Sequence, residues 1–294
     1  MHDAYALSLG QQQARTRWGT HESGAAFDRK KAPYLSERMQ QFLAQQSFCV
    51  IAGLGAHQEI HGLLAMGTPG FVRVLDRQTC LLEFDRLTGS SPIIQALHQC
   101  QRTGRLTDLG FFFISHATRE RLCVQGAAEL VPTDSLAFFR LLHRKQKVQI
   151  RLHVRQAFFH CSKYIRTRIA GLTAPLAGSS QHSWRPQQLL GRSQHCLTEE
   201  ISTFITQQVL CFLCTVNQQG HCAVNHRGGA PGFLVPVPPD ATAPGGFVLL
   251  PDYAGNGAFE AIGNIFETKQ AALVIPNYAA HMALCLAGSA GIIE

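Results

Sequence analysis

Two separated blocks of this chain repeat one another in register, and that repeat limits the folds open to it. MGTPGFVRV at Met66–Val74 matches GGAPGFLVP at Gly228–Pro236, and RLCVQGAAEL at Arg121–Leu130 matches MALCLAGSAGI around Cys285. Pro69 and Pro231, Gly70 and Gly232, Phe71 and Phe233, Cys123 and Cys285, and Gly126 and Gly288 all share one offset. Chance seldom preserves a register across two blocks, so the chain reads as one supersecondary unit used twice. Each half shows roughly six short strands and few helices, which points to two small β-barrels in tandem, mainly β with a few helices (α+β). The second half closes on GSAGIIE with no counterpart of VQIRLHVRQAFFHCSKYI. A barrel without its last strand has an open edge unless the other half or a second subunit covers it.

Local patterns fill in the frame. Residues 1–35 are polar, with a short helix and a turn near Lys31-Ala-Pro33. Met39, Phe42 and Leu43 recur at helical spacing after Ser36, a suitable N-cap. Strands are expected at FCVIAGLG, IHGLLAMGTPGFVRVLD, QTCLLEFDRL, GFFFIS and RLCVQGAAELV, with helices at Ser91–Gln99 and Thr133–His143. VQIRLHVRQAFFHCSKYI alternates as a long strand running into a short helix. Gly171–Gln194 breaks all periodicity with Gly, Pro, Ser and Gln. The expected division is an extension over 1–35, a first barrel over 36–170, a linker over 171–197 and a second barrel over 198–294.

An apolar content of 46% with 15% charged residues describes a core-forming chain. No apolar run approaches the roughly 20 residues of a membrane span, and the N-terminus does not read as a signal peptide. Ten cysteines are scattered without a framework, mostly in apolar runs, which suits reduced thiols in the cytoplasm. Cys211 and Cys214 form a lone CxxC inside a strand-like run, where residues three apart face opposite ways, against a zinc or redox role. The net charge of +7 suits an anionic ligand or partner without naming one.

The stretch from Asn225 to Ile265 carries the most chemistry. NHRGGAPGFLVPVP reads as a basic, glycine-rich turn and a strand, and GGFVLLPDYAGNGAFEAIGNI as a strand and a polar glycine turn opening a helix. Gly228, Gly229 and Gly232 permit close backbone approach, and Arg227 sets a fixed cation beside them. Asp252, Tyr253, Asn256 and Gly257 make a second tight corner, whose N–H groups can face an anion at a helix start. Two such corners facing each other suit a phosphate-bearing planar cofactor. Ordinary hairpin and helix-entry turns account for the same residues.

HRGGAPGFL followed by LPDYAGNGAFEAIGNI and the strand AALVIP resembles the pyridoxamine 5'-phosphate oxidase-like family of FMN-binding split barrels. TRERLCVQGAAEL and AFFHCSKYIRTR of the first half are similar to that family's later strand and its C-terminal Cys-x-Lys-Tyr-Ile element. The resemblance implies paired split barrels with FMN between them, here as an intramolecular pseudo-dimer that is also able to form a homodimer. It implies a flavin-dependent oxidoreductase acting on a small redox substrate, with no protein acid or base assigned. The implied FMN contacts are Arg227, Gly228, Gly229, Pro231, Gly232, Phe233, Asp252, Tyr253, Asn256 and Gly257, with Lys163 and Tyr164 from the first half. The first half has Ala65-Met66-Gly67 in place of the Arg-Gly-Gly corner and residues 84–90 in place of PDYAGNG, so one site per chain is expected. Where many members carry arginine this chain has Ala254 and Gly257, which removes two phosphate partners.

Other readings rest on less. A non-catalytic flavin or haem-binding module and a cofactor-free interaction scaffold use the same frame. No tight His/Cys/carboxylate cluster points to a metal. His160 and Cys161, neighbours on a strand, diverge too far for a nucleophile and its base. His226 either touches a ligand or steadies its turn. The basic run Arg140–Arg155 alternates like a half-exposed strand and lacks aromatics for stacking on nucleic acid.

Overall fold

A computed structural model describes residues 7–84, 91–131, 148–161, 165, 195–253, 255–279 and 282–294. The first half runs α3 (Glu37–Ala44), β1 (Phe48–Leu54), β2 (Ile60–Met66), β3 (Val72–Asp76), β4 (Thr79–Phe84), α4 (Pro92–Arg102), β5 (Thr107–Ser115), β6 (Glu120–Leu130) and β7 (Val148–His160). The second runs α5 (Glu199–Gln207), β8 (Leu210–Val216), β9 (Cys222–Gly228), β10 (Val235–Val237), β11 (Phe247–Leu249), α6 (Glu260–Thr268), β12 (Gln270–Asn277) and β13 (Met282–Ser289). Preceding both are α1 (Leu9–Arg17) and α2 (His21–Asp28), two helices where the sequence suggested one. The architecture is mainly antiparallel β with helices (α+β), as the sequence implied. Among the described residues no helix is long and apolar enough to cross a membrane.

The repeat is visible in hydrogen bonds as well as in letters. The offset is 162 residues (Pro69 to Pro231). Ser36 caps α3 at the Met39 amide and Thr198 caps α5 at the Ile201 amide. Gly67 N donates to Ser47 O and Gly229 N to Val209 O, while the turns that follow place Gly70 and Gly232 at φ 91° and 85°. Those positive φ values are open to glycine at no steric cost, which is why glycine stands at both positions. The first sheet has the order β2-β1-β5-β6-β7-β4-β3 and the second β9-β8-β12-β13, so the second repeats the first four strands of the first. Among the described residues β13 has no outer neighbour, whereas β6 is flanked by β7.

Each half has its own core, and a third core joins them. Phe71, Phe84, Phe111, Phe113, Leu122 and Ile150 pack inside the first sheet, and Ile205, Cys211, Phe233, Leu234 and Ile275 form the smaller second core. Between the sheets lie Val50, Phe112 and Cys123 with Phe212, Cys214 and Val224. The CxxC cysteines accordingly point to different cores, as strand alternation requires. Two equivalent hydrogen bonds cross between the halves: Ile60 N donates to Gln270 Oε1 at 3.0 Å, and Cys222 N to Asp108 Oδ1 at 2.8 Å. Ile60 and Cys222 are equivalent in the repeat, as are Asp108 and Gln270, so the contact is reciprocal, like that of a two-fold dimer. His116 and Tyr278, also equivalent positions, meet each other with ring centroids 6.0 Å apart.

The expected helix over 133–143 and most of the 171–197 linker lie outside the described residues. Arg227 and Gly228, read as part of a glycine turn, end strand β9 instead. They extend its ladder, with Arg227 opposite Cys211 and Gly228 opposite Leu210. The sequence hides this because the strand's last residue, Gly228, runs straight into Gly229.

Candidate cofactor site

A cavity of about 550 Å³ opens where the two halves and the N-terminal helices meet. Strand β9 contributes Asn225, His226, Arg227 and Gly228; the corner after β11 contributes Asp252, Tyr253, Asn256 and Gly257. The first turn of α6 forms the adjoining wall, and the first half adds Arg121, His160 and Cys161 from the ends of β6 and β7. Trp18, Thr20, Ser23 and Phe27 close it from the N-terminal pair.

That pair is held to the corner by buried polar contacts. Arg15, only 1% exposed, pairs with Asp28 at 2.8 Å and donates to the Ala258 carbonyl at 3.2 and 3.4 Å. Thr20 Oγ1 donates to Gly257 O at 3.3 Å, and Trp18 stacks on Phe259 at 5.0 Å and on Phe266 at 5.9 Å. Gly257 has φ 71°, and a Cβ there would overlap Ser23 Oγ. Glycine at this position is therefore needed for both backbone shape and space. Phe259, in the left-handed region, starts α6 with no side-chain cap.

The polar floor is electrically asymmetric. Arg227 pairs with Asp252 at 2.8 Å, so one of the expected phosphate cations is already matched by a carboxylate. Arg121 Nη1 lies 3.2 Å from His226 Nδ1, and its Nη2 donates to the Cys161 carbonyl. Burial pulls the Arg121 pKa down. Burial, then the Arg121 charge, drives His226 well below the usual imidazole range. The same two causes, joined by Lys31 and Arg227, take His160 to about 3. His160 keeps some surface toward the cavity but is ringed by Phe27, Phe112 and Phe158, and its Nε2 lies 3.1 Å from Cys123 Sγ. Burial pushes the Cys123 thiol up, so this contact is thiol to neutral imidazole and not an activated nucleophile. Three consecutive residues of β9 each keep a buried atom without a hydrogen-bond partner among the described residues: Asn225 Oδ1, His226 Nε2 and Arg227 Nε. Unpaired buried polar atoms are uncommon, and all three residues line the cavity, with His226 on the opposite face of β9 from Asn225 and Arg227.

Of the residues singled out in the sequence, Arg227, Gly228, Asp252, Tyr253, Asn256 and Gly257 come together around this cavity. Gly229, Pro231, Gly232 and Phe233 lie outside its lining, and Phe233 is buried in the second core. Lys163, Tyr164 and Ala254 lie outside the described residues. Arg121 and the N-terminal helices were not read as part of the site. One signal was present for Arg121: the repeat places Ala283 at the equivalent position of the second half, so an arginine in an apolar strand was unique to the first.

No protein-family model and no curated protein matches this chain. Solved structures similar to parts of it include a candidate pyridoxamine 5'-phosphate oxidase from Lactobacillus delbrueckii, with 16% identity over 44% of this chain and 98% of that one at a TM-score of 0.32. HutZ, described as the heme storage protein of Vibrio cholerae, shows 13% identity over 42% of this chain and 93% of its own, at a TM-score of 0.29. An FAD binding protein from Mycobacterium smegmatis shows 16% identity over 43% of this chain and 94% of its own, at 0.28. Each spans less than half of this chain, at identities that carry no activity across to it.

Proposed function

We propose that the cavity between the halves binds a flavin, FMN, and that the protein is a flavin-dependent oxidoreductase of the pyridoxamine 5'-phosphate oxidase-like type. The observation that carries the reading is the cavity itself, within the roughly 300–1,000 Å³ usual for such ligands and lined by Arg227, Asp252, Asn256 and Gly257 together with Asn225 and His226, which each keep a buried polar atom without a partner among the described residues. The similar structures include one described as an FAD binding protein and one as a heme storage protein. The donor set fits an anionic, heteroatom-rich ligand. Arg227 would bind the phosphate in competition with Asp252, helped by the uncapped amides at the head of α6. Asn225 and His226 would meet polar atoms of the ligand, while Trp18, Phe27 and Phe259 keep water out. The flavin ring itself supplies the redox chemistry, and the chain supplies placement and charge.

The two halves serve in this reading as an intramolecular pseudo-dimer, supported by the reciprocal Ile60–Gln270 and Cys222–Asp108 contacts. We assign one site per chain, since the first-half strand β2 carries no arginine equivalent to Arg227. A cytoplasmic location suits ten unpaired cysteines. The deciding experiment is an absorbance titration of purified protein with FMN, wild type beside Arg227→Ala. Flavin bands that sharpen on binding and weaken in the variant support the reading. A Soret band in the purified protein, or no response to FMN, overturns it.

A further inference from the structure

Resting on the flavin reading, we infer that His226 is locked by Arg121 as the neutral Nε2–H tautomer and serves as the site's hydrogen-bond donor to a ligand acceptor. The lock follows from the donor inventory. An arginine has only N–H donors, so at 3.2 Å from Arg121 Nη1 the His226 Nδ1 must offer its lone pair. The ring cannot carry a second proton cheaply: it is 6% exposed, and Arg121, Arg227, His116 and His160 all face it. The single remaining proton therefore sits on Nε2. That nitrogen is buried and without a partner among the described residues, while His226 is among the residues that line the cavity and its ring meets Phe212 in a T-shaped contact at 5.8 Å.

A buried N–H with no acceptor is the least satisfied state of this ring, and a ligand that brings an acceptor relieves it. The site thus selects planar ligands that present a carbonyl oxygen or an unprotonated ring nitrogen to β9. The same tautomer makes His226 a poor metal ligand. Coordination through Nε2 would require that proton to leave, or to move to Nδ1, where it would confront the Arg121 guanidinium. The arrangement separates a flavin, rich in acceptors, from a haem held by its iron.

The test reads the tautomer first and the ligand second. Long-range nitrogen–proton correlation spectra of ¹⁵N-histidine protein at pH 7, with His226→Gln as the assignment control, should show Nε2–H for His226. Arg121→Met should convert that signal to a mixture of tautomers, a change that a merely structural arginine would not cause. Adding FMN should shift the Nε2–H resonance. His226→Phe should weaken FMN binding about tenfold, the value of one lost hydrogen bond, and His226→Gln, which keeps a donor, should weaken it less. An Nδ1–H or doubly protonated His226 at pH 7 overturns the inference even if FMN binds. Equal FMN affinity in wild type, His226→Phe and His226→Gln overturns the donor role and leaves the flavin reading intact. No FMN binding by wild type sinks the flavin reading, and the tautomer spectrum then decides the lock by itself.

Discussion

Replacing Arg15 by methionine tests whether the N-terminal helices are part of the site or merely lie near it. Methionine preserves the apolar stem and deletes the guanidinium. Three contacts vanish: the 2.8 Å pair with Asp28 and the two hydrogen bonds to Ala258 O. Removing one member of a buried ion pair costs about 3–5 kcal/mol, because the other charge is stranded. Lys31 remains 3.2 Å from Asp28 and takes up part of that charge, which puts the expected loss at the lower end, about 3 kcal/mol. At a urea m-value of about 3 kcal/mol/M, the transition midpoint should fall by about 1 M. Trp18 reports the local event, since it stacks on Phe259 and Phe266; the only other tryptophan, Trp184, is removed by Trp184→Phe. The emission of Trp18 should move to the red in Arg15→Met at denaturant concentrations where wild type is still blue. Asp28→Asn combined with Arg15→Met should cost less than the sum of the two, because the stranded charge is gone. Wild-type midpoint and emission in Arg15→Met would refute the clamp.

Other perturbations follow the same geometry. Gly257→Ala forces an alanine to φ 71° and against Ser23, and should destabilise by about 2–4 kcal/mol, measured by urea unfolding. Gly110→Ala puts a methyl group 2.7 Å from the Cys222 carbonyl oxygen, across the contact between the halves, and should cost about 1–3 kcal/mol while leaving far-ultraviolet circular dichroism unchanged. Acid sensitivity should come from His160 and His226, whose folded pKa values lie below the ordinary 6.5. Stability is then full above pH 6.5 and falls as pH drops toward the folded values, His160 reaching about 3, by at most about 1.4 kcal/mol per pH unit for each ring. His160→Asn should remove one ring's share of that slope, and an unchanged slope in urea midpoints between pH 6 and 4 would contradict the buried neutral state.

Much of the fold could be read from the letters because its determinants are local or periodic. The register shared by Pro69 and Pro231, Gly70 and Gly232, and Phe71 and Phe233 announced two copies of one unit, and the four-stranded sheet repeats the order of the first four strands of the seven-stranded one. Met39, Phe42 and Leu43 at helical spacing behind Ser36 gave α3, and the strand alternation at Cys211 and Cys214 sent each thiol to a different core. The corner at Asp252 to Gly257 was visible as turn chemistry and lines one cavity with Arg227, which ends strand β9 and is not part of a turn. Glycine and proline impose their backbone shapes through their own covalent structure, so such positions speak without a partner.

What tertiary structure decided were the residues that complete that cavity. Arg121 comes to His226 across 105 positions of chain, and Arg15 reaches the Ala258 carbonyl across 243. Nothing in their neighbouring residues announces either meeting. Asp252 was read as a ligand contact and stands against Arg227, a pairing set by how the corner after β11 folds back on β9. The N-terminal stretch, polar and weakly periodic, buries Arg15 by carrying its counter-ion, Asp28, on the next helix. Sequence by itself thus determined two like units and the corners that shape each one, since these follow from local backbone and side-chain preferences. Which charges meet, and which histidine nitrogen is left with a proton and no acceptor, was settled only when the two units and the N-terminal helices closed on one another, because those energies depend on distance in space and on the exclusion of water.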